Sequence, residues 1–391
     1  MSLFQIKLFR RQTYKKPEVK VLLMKELLSW DQTLFKDSEL FELDHVPEHF
    51  LHRDAQLQSL LFSVRPALSG GRPLNCLCAG PPGTGKTTAV IKAFEEIEKH
   101  TNKVIPVLVN CQAYSTRYTV FSQIFHKLIG YAPPTSGASF NKVFGEVAKY
   151  LVENERVLVV ALDDMNYLFY ENEVNEVLYS LLRAHETHPG ARVGVIAIIS
   201  DTGVPHILDQ KVESVFLPEE INFPKYAIGE VKDILSNRAK LGFYPGVIDE
   251  NVLERITEHT FALGDIRVGI DLLKRAGLNA ERRASRTIAV EDVDKAYDSS
   301  RLVHLSYIMR ALKEDEKALI GLIADSPKTN SGDLYEIFHS KTSLAYTRFY
   351  ELLNKLASVR LIDADFTGKG LRGRSRVVTL RYKADEIRTR L

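Results

Sequence analysis

The chain has 391 residues, of which 45% are hydrophobic and 26% charged, and its formal net charge is +2 at pH 7. At this length and composition we expect two or three folded domains with real cores, which excludes a low-complexity or disordered chain. No apolar run approaches the roughly 18 residues needed to cross a bilayer and the first residues lack a signal-peptide pattern, so we expect a cytoplasmic protein without a membrane partner.

The first 36 residues are basic and weakly patterned, and we interpret residues 1–36 as an N-terminal arm. From about residue 74 to residue 220, short apolar runs alternate with longer amphipathic segments. Fully apolar strands separated by helices predict a parallel sheet with helices on both faces. The predicted strands are residues 74–79, 104–110, 156–162 and 193–200.

One motif in this region carries recognisable chemistry. The segment "GPPGTGKT" fits the pattern GxxxxGK[ST] and lies between the first predicted strand and a helical segment. In that context glycines let backbone N–H groups approach phosphate oxygens at a helix N-terminus, Lys86 reaches the β- and γ-phosphates of a nucleoside triphosphate, and Thr87 holds Mg²⁺. We expect the bound nucleotide to be ATP or ADP. The predicted phosphate-binding residues are Gly80, Pro81, Pro82, Gly83, Thr84, Gly85, Lys86, Thr87 and Thr88.

An acidic partner for the metal follows the third predicted strand. The apolar run in "RVLVVALDD" ends in Asp163 and Asp164. We predict that Asp163 holds Mg²⁺, directly or through water, and that Asp164 lies where a base would orient the attacking water. The two segments together predict a nucleoside-triphosphate site.

Residues 228–300 show helical periodicity throughout, and a third unit begins after about residue 302. Within it, apolar residues at i, i+3, i+4 and i+7 from Phe349 form one predicted buried helix face, after two shorter helical stretches. We interpret this pattern as a helix-turn-helix whose polar front meets the base edges of duplex DNA. The predicted DNA-binding residues of this helix are Ser343, Tyr346, Thr347 and Arg348.

Two further predicted strands, "LIDADF" and "VVTLRY", flank a glycine-rich loop with four basic residues and no acid. Residues 301–391 carry 17 Lys+Arg and 11 Asp+Glu, a net of +6, which indicates a polyanionic partner. We interpret the loop as the wing of a winged helix on DNA, although such domains also dock proteins. Its predicted DNA-binding residues are Lys369, Arg372, Arg374 and Arg376.

Four segments accompany the P-loop in a fixed order: "VPEHFLHRDAQL", "INFPKYAIGEVKDILSNRA", "GDIRVGIDLLKRA" and "GKGLRGRSR". With the P-loop they resemble the AAA+ ATPases of the archaeal origin-recognition type, which initiate DNA replication, over roughly residues 40–390. The resemblance implies a AAA+ nucleotide-binding core over residues 37–226, a helical lid over residues 227–300 and a winged-helix domain over residues 301–391.

The resemblance also assigns roles around the nucleotide. It implies that Val46 and Arg53 belong to the adenine pocket, that Tyr226 and Arg238 lie near the nucleotide, and that Arg267 of the lid faces the γ-phosphate. A permanent cation that bridges lid and P-loop would make lid closure depend on the γ-phosphate, which is a switch.

Three positions depart from the family pattern. Asp164 stands where a glutamate is usual, Ser200 is the nearest match to the polar sensor residue that is usually Asn, and Lys211 stands where an arginine finger is expected. A shorter carboxylate holds water less well, and lysine cannot bind bidentately. These changes leave the binding groups intact, so we expect tight nucleotide binding and slow hydrolysis.

The sequence thus favours an ATP-switched replication initiator, nucleoid-associated, that binds origin duplex DNA, recruits or loads the replicative helicase and has paralogous initiator subunits as candidate partners. A transcriptional or mobile-element regulator without helicase loading would use the same parts. A protein-remodelling ATPase fits less well, because it would need the hydrolytic residues that are replaced. The family's initiator-specific insertion, nearest to residues 118–137, offers a second DNA contact, but its apolar spacing fits a core helix equally.

Overall fold

The computed structural model describes residues 33–133, 139–200, 208–326, 328–359, 361–366 and 376–391. The chain forms two compact units, which divide between Val290 and Glu291. Within the described ranges, no helix is both long and apolar enough to span a membrane.

The first unit is built on a sheet of five parallel strands in the order β2-β3-β4-β1-β5. Its strands are β1 (Cys76–Ala79), β2 (Val104–Asn110), β3 (Val157–Asp163), β4 (Arg192–Ile199) and β5 (Glu219–Asn222). Its first helices are α1 (Asp54–Leu68), α2 (Lys86–His100), α3 (Arg117–Ile129), α4 (Phe140–Glu153), α5 (Asn166–Tyr170), α6 (Val174–Leu182), α7 (Ala184–Thr187) and α8 (Gln210–Phe216). The predicted parallel sheet and its four apolar strands are therefore confirmed.

Side chains of β3 alternate between two hydrophobic cores, one on each face of the sheet. Leu158, Val160 and Leu162 pack with α3, α4 and α6, whereas Val159 and Ala161 pack with α1 and α2. This two-sided burial is why the strand is apolar at every position. Because β1 and β3 both run parallel to β4, their carboxyl ends lie at the same edge of the sheet, where the P-loop follows β1.

Helix α3 contains residues 118–129, the first part of the segment for which a second DNA contact was considered. Val120, Phe121, Ile124 and Phe125 of α3 are buried in the core with α4, and Thr116 caps the helix. For the described part of residues 118–137, this burial agrees with the interpretation of the segment as a core helix.

The remaining helices of the first unit form the lid region: α9 (Ile228–Gly242), α10 (Glu250–Leu263) and α11 (Ile266–Arg282). Leu34 and Phe35, at the end of the predicted arm, are buried here, and the Phe35 ring lies 5.1 Å from that of Phe243. Glu281 accepts hydrogen bonds from the Thr33 hydroxyl and the Leu34 amide, each at 2.8 Å. Residues 33–36 are thus part of the folded first unit; the preceding 32 residues of the arm lie outside the described residues.

The second unit has a three-stranded antiparallel sheet in the order β6-β8-β7. Its helices are α12 (Val290–Ala311), α13 (Glu314–Asp325), α14 (Ser331–Thr342), α15 (Tyr346–Ser358) and α16 (Ala384–Arg388), and its strands are β6 (Lys328–Asn330), β7 (Ile362–Phe366) and β8 (Arg376–Leu380). This is the element order expected for a winged helix. Helix α12 runs without a break through the predicted boundary at residue 300, and the division between the two compact units falls at the start of this helix.

Candidate nucleotide site and nucleic-acid face

The P-loop turns sharply between β1 and α2, and glycines make that turn sterically accessible. Gly83 and Gly85 have φ of +72° and +90°. A Cβ built on Gly85 would lie 2.7 Å from the Tyr226 hydroxyl oxygen, so a side chain there would displace Tyr226. The loop therefore presents bare backbone N–H groups at the start of α2, the arrangement that binds phosphate.

Lys86 lies in the centre of this cradle and is 5% exposed. Its ammonium donates hydrogen bonds to the carbonyls of Gly80 and Pro81, both at 2.8 Å. The pKa of Lys86 is lowered to about 8, chiefly because the ammonium is buried; the carboxylate of Asp164 opposes this shift and the cation of Arg267 contributes to it. Two neutral carbonyls stabilise a buried ammonium less than an anion would, so we expect Lys86 to exchange them for phosphate oxygens.

The lowered pKa predicts that nucleotide binding takes up protons above pH 7. Phosphates near Lys86 would favour its charged form and raise the pKa from about 8. At pH 7 Lys86 is mostly charged with or without nucleotide, so uptake should be small; at pH 8 it should reach about half a proton per site. Calorimetric titration with ADP in buffers of different ionisation enthalpy measures the uptake. Equal uptake at the two pH values would contradict this assignment.

Thr87 and Asp163 meet directly below the cradle, since the Thr87 hydroxyl donates to Asp163 Oδ1 at 2.9 Å. Burial raises the pKa of Asp163, the hydrogen bond from Thr87 lowers it, and the adjacent Asp164 carboxylate raises it again. A hydroxyl and a partly buried carboxylate are oxygen donors of the kind that Mg²⁺ prefers. A divalent cation fits this pair, because it would favour the ionised form that burial opposes.

Asp164 and Ser200 are also brought together, at the ends of the neighbouring strands β3 and β4. The Ser200 hydroxyl donates to Asp164 Oδ1 at 3.2 Å. Asp164 has φ of +50°, an unusual conformation for a residue that is not glycine. Lys211 lies on α8 and is exposed, while residues 201–207 before it are outside the described residues.

Arg53 is buried, with 3% of its surface exposed, and its guanidinium is hydrogen-bonded to backbone carbonyls. Its guanidinium donates to the carbonyls of Thr84 at 3.0 Å and Pro224 at 2.6 Å, and it lies 3.8 Å from the centre of the Tyr226 ring. Arg53 therefore connects the P-loop, the chain after β5 and Tyr226. In this arrangement Arg53 supports the residues around the pocket. A direct contact between Arg53 and the nucleotide stays a prediction.

Arg238 of α9 is likewise buried, and it donates to the carbonyls of Leu40 at 2.7 Å and His45 at 3.3 Å. The half-buried Val46 lies between these anchoring points and Arg53. The segment from Leu40 to Arg53 is therefore fixed to the lid at one end and to the P-loop at the other. Phe50, whose ring lies beside Gly85, is a further residue of the site that was not predicted, although it belongs to the quoted "VPEHF" segment.

The lid contributes the start of α11, where Asp265 caps the helix by accepting a hydrogen bond from the Arg267 amide at 3.0 Å. A Cβ built on Gly83 would lie 2.0 Å from Asp265 Oδ1, so Asp265 lies directly against the P-loop. Arg267 is exposed at this end of the lid. A cavity of about 230 Å³ lies beside it, lined by Lys225, Tyr226, Val231, Thr260, Phe261, Gly264, Asp265 and Ile266.

The predicted nucleic-acid face lies on α15 of the second unit. Tyr346 and Thr347 are exposed in its first turn, whereas Ser343 lies before the helix, in a turn with φ of +57°. Arg348 donates to Glu351 at 3.0 Å and to Asp315 at 3.2 Å, so its charge is already paired. Of the predicted wing cations, Arg376 is at the start of β8, and Lys369, Arg372 and Arg374 lie outside the described residues.

Comparisons with known proteins agree with this geometry. The Cdc6 AAA+ ATPase-type lid domain matches residues 232–298, and the AAA ATPase domain matches residues 49–196. The "ORC1-type DNA replication protein 2" of Methanosarcina acetivorans is 53% identical over 362 residues, which cover 93% of this chain and 97% of that protein.

Two solved structures resemble the chain over nearly its whole length. The Aeropyrum pernix ORC1 protein in complex with DNA has a TM-score of 0.69 and 26% identity, covering 92% of this chain and 97% of that one. The Aeropyrum pernix ORC2 protein, in ADPNP-ADP complexes, has a TM-score of 0.70 and 25% identity, with coverage of 90% and 96%. With a relative more than half identical over almost all of its length, the chain belongs to the archaeal ORC1-type DNA replication proteins, which are AAA+ ATPases.

Proposed function

We propose that the chain binds ATP or ADP with Mg²⁺ and uses the nucleotide state to control its binding of duplex DNA at replication origins. The observation that carries the nucleotide part is the arrangement of Lys86, Thr87 and Asp163 around the glycine-rich P-loop. The Aeropyrum pernix ORC2 structure with ADPNP and ADP supports it, because that protein shares the fold over 90% of this chain.

In the proposed reaction, Lys86 leaves the carbonyls of Gly80 and Pro81 and binds the β- and γ-phosphates, while the backbone N–H groups of the loop hold the remaining oxygens. Thr87 and Asp163 would hold Mg²⁺, whose charge assists phosphoryl transfer. Asp164, positioned by the Ser200 hydroxyl, would orient the attacking water. Arg267 would add a cation from the lid when a γ-phosphate is present.

The DNA part of the proposal rests on the second unit. It has the element order of a winged helix, and the basic loop between β7 and β8 carries three further cations in the sequence. The Aeropyrum pernix ORC1 protein, which resembles the chain over 92% of its length, was solved in complex with DNA. We extend the proposal to recruitment or loading of the replicative helicase and to assembly with paralogous initiator subunits, on the strength of the family alone.

The initiator proposal is tested by a chromosome-wide map of the protein's binding sites. Binding confined to one or a few regions where replication starts is the expected result. Binding at many promoters, without enrichment at replication starts, would instead select the regulator that uses the same nucleotide switch and the same DNA-binding unit.

Turnover is predicted to be slow, below one ATP per second, where enzymes commonly reach roughly 1–10³ s⁻¹. The reason is that Asp164 is short, is held by a serine hydroxyl and has a left-handed backbone, and that Lys211 replaces an arginine. Asp164→Glu should raise the rate or leave it unchanged, and Asp164→Asn should lower it without loss of ADP affinity. A wild-type steady-state rate of many per second would show that these replacements do not limit hydrolysis.

A further inference from the structure

The polar face of α15 carries a row of side chains opposite its buried face. Thr347, Glu351 and Asn354 follow one another at i, i+4 and i+7 and are all exposed. Phe349, Leu352, Leu353 and Leu356, on the other side, are buried in the core of the second unit. The row that would face a DNA groove therefore includes Asn354, which lies two turns beyond Thr347.

Asn354 is held by an arginine from β8. The guanidinium of Arg376 donates to Asn354 Oδ1 at 2.7 Å, donates to the Tyr350 hydroxyl, and lies 4.6 Å from the centre of the Tyr350 ring. The Arg376 amide also donates to the Ser331 hydroxyl at 3.3 Å. Arg376 therefore fastens the base of the predicted wing to α15, in place of the free phosphate contact expected from the sequence.

This contact fixes the direction of the Asn354 amide. Arginine has five N–H donors and no acceptor, so only the carbonyl oxygen of Asn354 can face it. The amide NH₂ group is then directed away from Arg376, and an otherwise ambivalent side chain becomes a hydrogen-bond donor at the exposed surface. Tyr350 keeps Arg376 in place through both the hydroxyl and the ring.

On the opposite edge of the row, the basic side chains are held in ion pairs and are therefore not available to contact bases. Arg348 is paired with Asp315 of α13 and with Glu351. Lys355, two turns beyond Arg348, donates at 2.6 Å to Glu316, whose side chain is only 2% exposed. The cations on this flank thus connect α15 to α13, which leaves the neutral residues of the row to discriminate between bases.

We propose that Asn354 is a base-reading residue that presents a hydrogen-bond donor to the major groove, and that Arg376 is the positioning residue that sets this polarity. The inference rests on the proposed binding of duplex DNA. A donor at this position pairs with the acceptors of the major groove, which are N7 and O6 of guanine, N7 of adenine and O4 of thymine. It cannot pair with the amino groups of cytosine or adenine.

The test is selection of bound sequences from a randomised duplex library by the full chain and three variants. Asn354→Ala should lose about tenfold discrimination at one or two adjacent base pairs, while the slope of affinity against salt stays unchanged because no phosphate contact is lost. Arg376→Lys keeps a donor-only partner and should preserve the base preference. Arg376→Gln can both donate and accept, so the amide can reverse, and the same base pairs should then also tolerate cytosine or adenine amino groups.

The outcomes separate the two levels of the proposal. If the wild-type protein bound no duplex, the proposed DNA-binding function itself would be refuted. Wild-type protein that selects a sequence which Asn354→Ala selects equally well would overturn the assignment of Asn354. Identical selections by Arg376→Lys and Arg376→Gln would overturn the positioning role of Arg376. Circular dichroism of each variant distinguishes these results from loss of folding.

Discussion

Lys86→Ala is expected to abolish measurable binding of ATP and ADP. Lys86 is the buried cation of the P-loop, and its ammonium is hydrogen-bonded to two carbonyls, those of Gly80 and Pro81. Charge-assisted hydrogen bonds to phosphate are about twice as strong as neutral ones, and the surrounding low dielectric strengthens them further. Removal of the ammonium takes away the one charged side chain of the P-loop "GPPGTGKT". Isothermal titration calorimetry with ADP and Mg²⁺ measures the loss.

Lys99→Ala is the matched control for this experiment, since Lys99 lies on the same helix, is exposed and pairs with Glu96, one turn away, at 2.8 Å. It removes the same charge from α2 but should leave the affinity for ADP unchanged. Equal ADP affinity in wild type and in Lys86→Ala would refute the proposed nucleotide site.

The second large effect concerns the predicted wing. Simultaneous replacement of Lys369, Arg372 and Arg374 by alanine should weaken duplex binding and flatten its salt dependence. Each phosphate contact that is lost lowers the slope of log K against log[salt] by about 0.9, so three contacts lower it by about 2.7. Over a fourfold change in salt this slope amounts to about 40-fold in affinity. Arg376 is left in place because its guanidinium is bound to Tyr350 and Asn354.

A control with the same loss of charge is available in the first unit, where Lys99, Lys103 and Lys149 are exposed surface lysines outside the segment considered for a second DNA contact. Their joint replacement by alanine should leave the salt slope of the wild type unchanged. If the wing variant bound duplex DNA with wild-type affinity and slope, the basic loop would be a solvated surface and not a DNA contact.

The features that the sequence predicted best are those that local pattern determines. Successive side chains of these strands enter two different cores, so the strands are hydrophobic throughout. This apolar pattern is why β1 to β4 could be predicted from the sequence. The strand β5 was not located, because in "EEIN" only Ile221 is buried at this edge of the sheet. The meeting of Thr87 with Asp163 followed from the P-loop and the strand that ends in two acids.

What the sequence could not predict depends on partners distant along the chain. Arg53 bonds the carbonyl of Pro224 and Arg238 that of Leu40, and no periodicity or motif encodes such contacts with backbone. The same holds for Arg348 and Arg376, which looked free for DNA until their partners on α13 and α15 were placed. A long cationic side chain can serve a ligand or its own fold, and only tertiary structure decides between them.

The contact between Asp265 and Gly83 has a kinetic consequence. Asp265, at the start of α11, lies against Gly83 of the P-loop, so this turn would cover phosphates bound there. We expect ADP to leave only after this turn has lifted, which makes the lifetime of the bound state a property of the lid and not of affinity alone. After one hydrolysis event, the molecule would stay in its ADP form for as long as that turn remains seated. If release is as slow as turnover, the rate of lid opening would set how often the chain can complete one cycle of ATP binding, hydrolysis and ADP release.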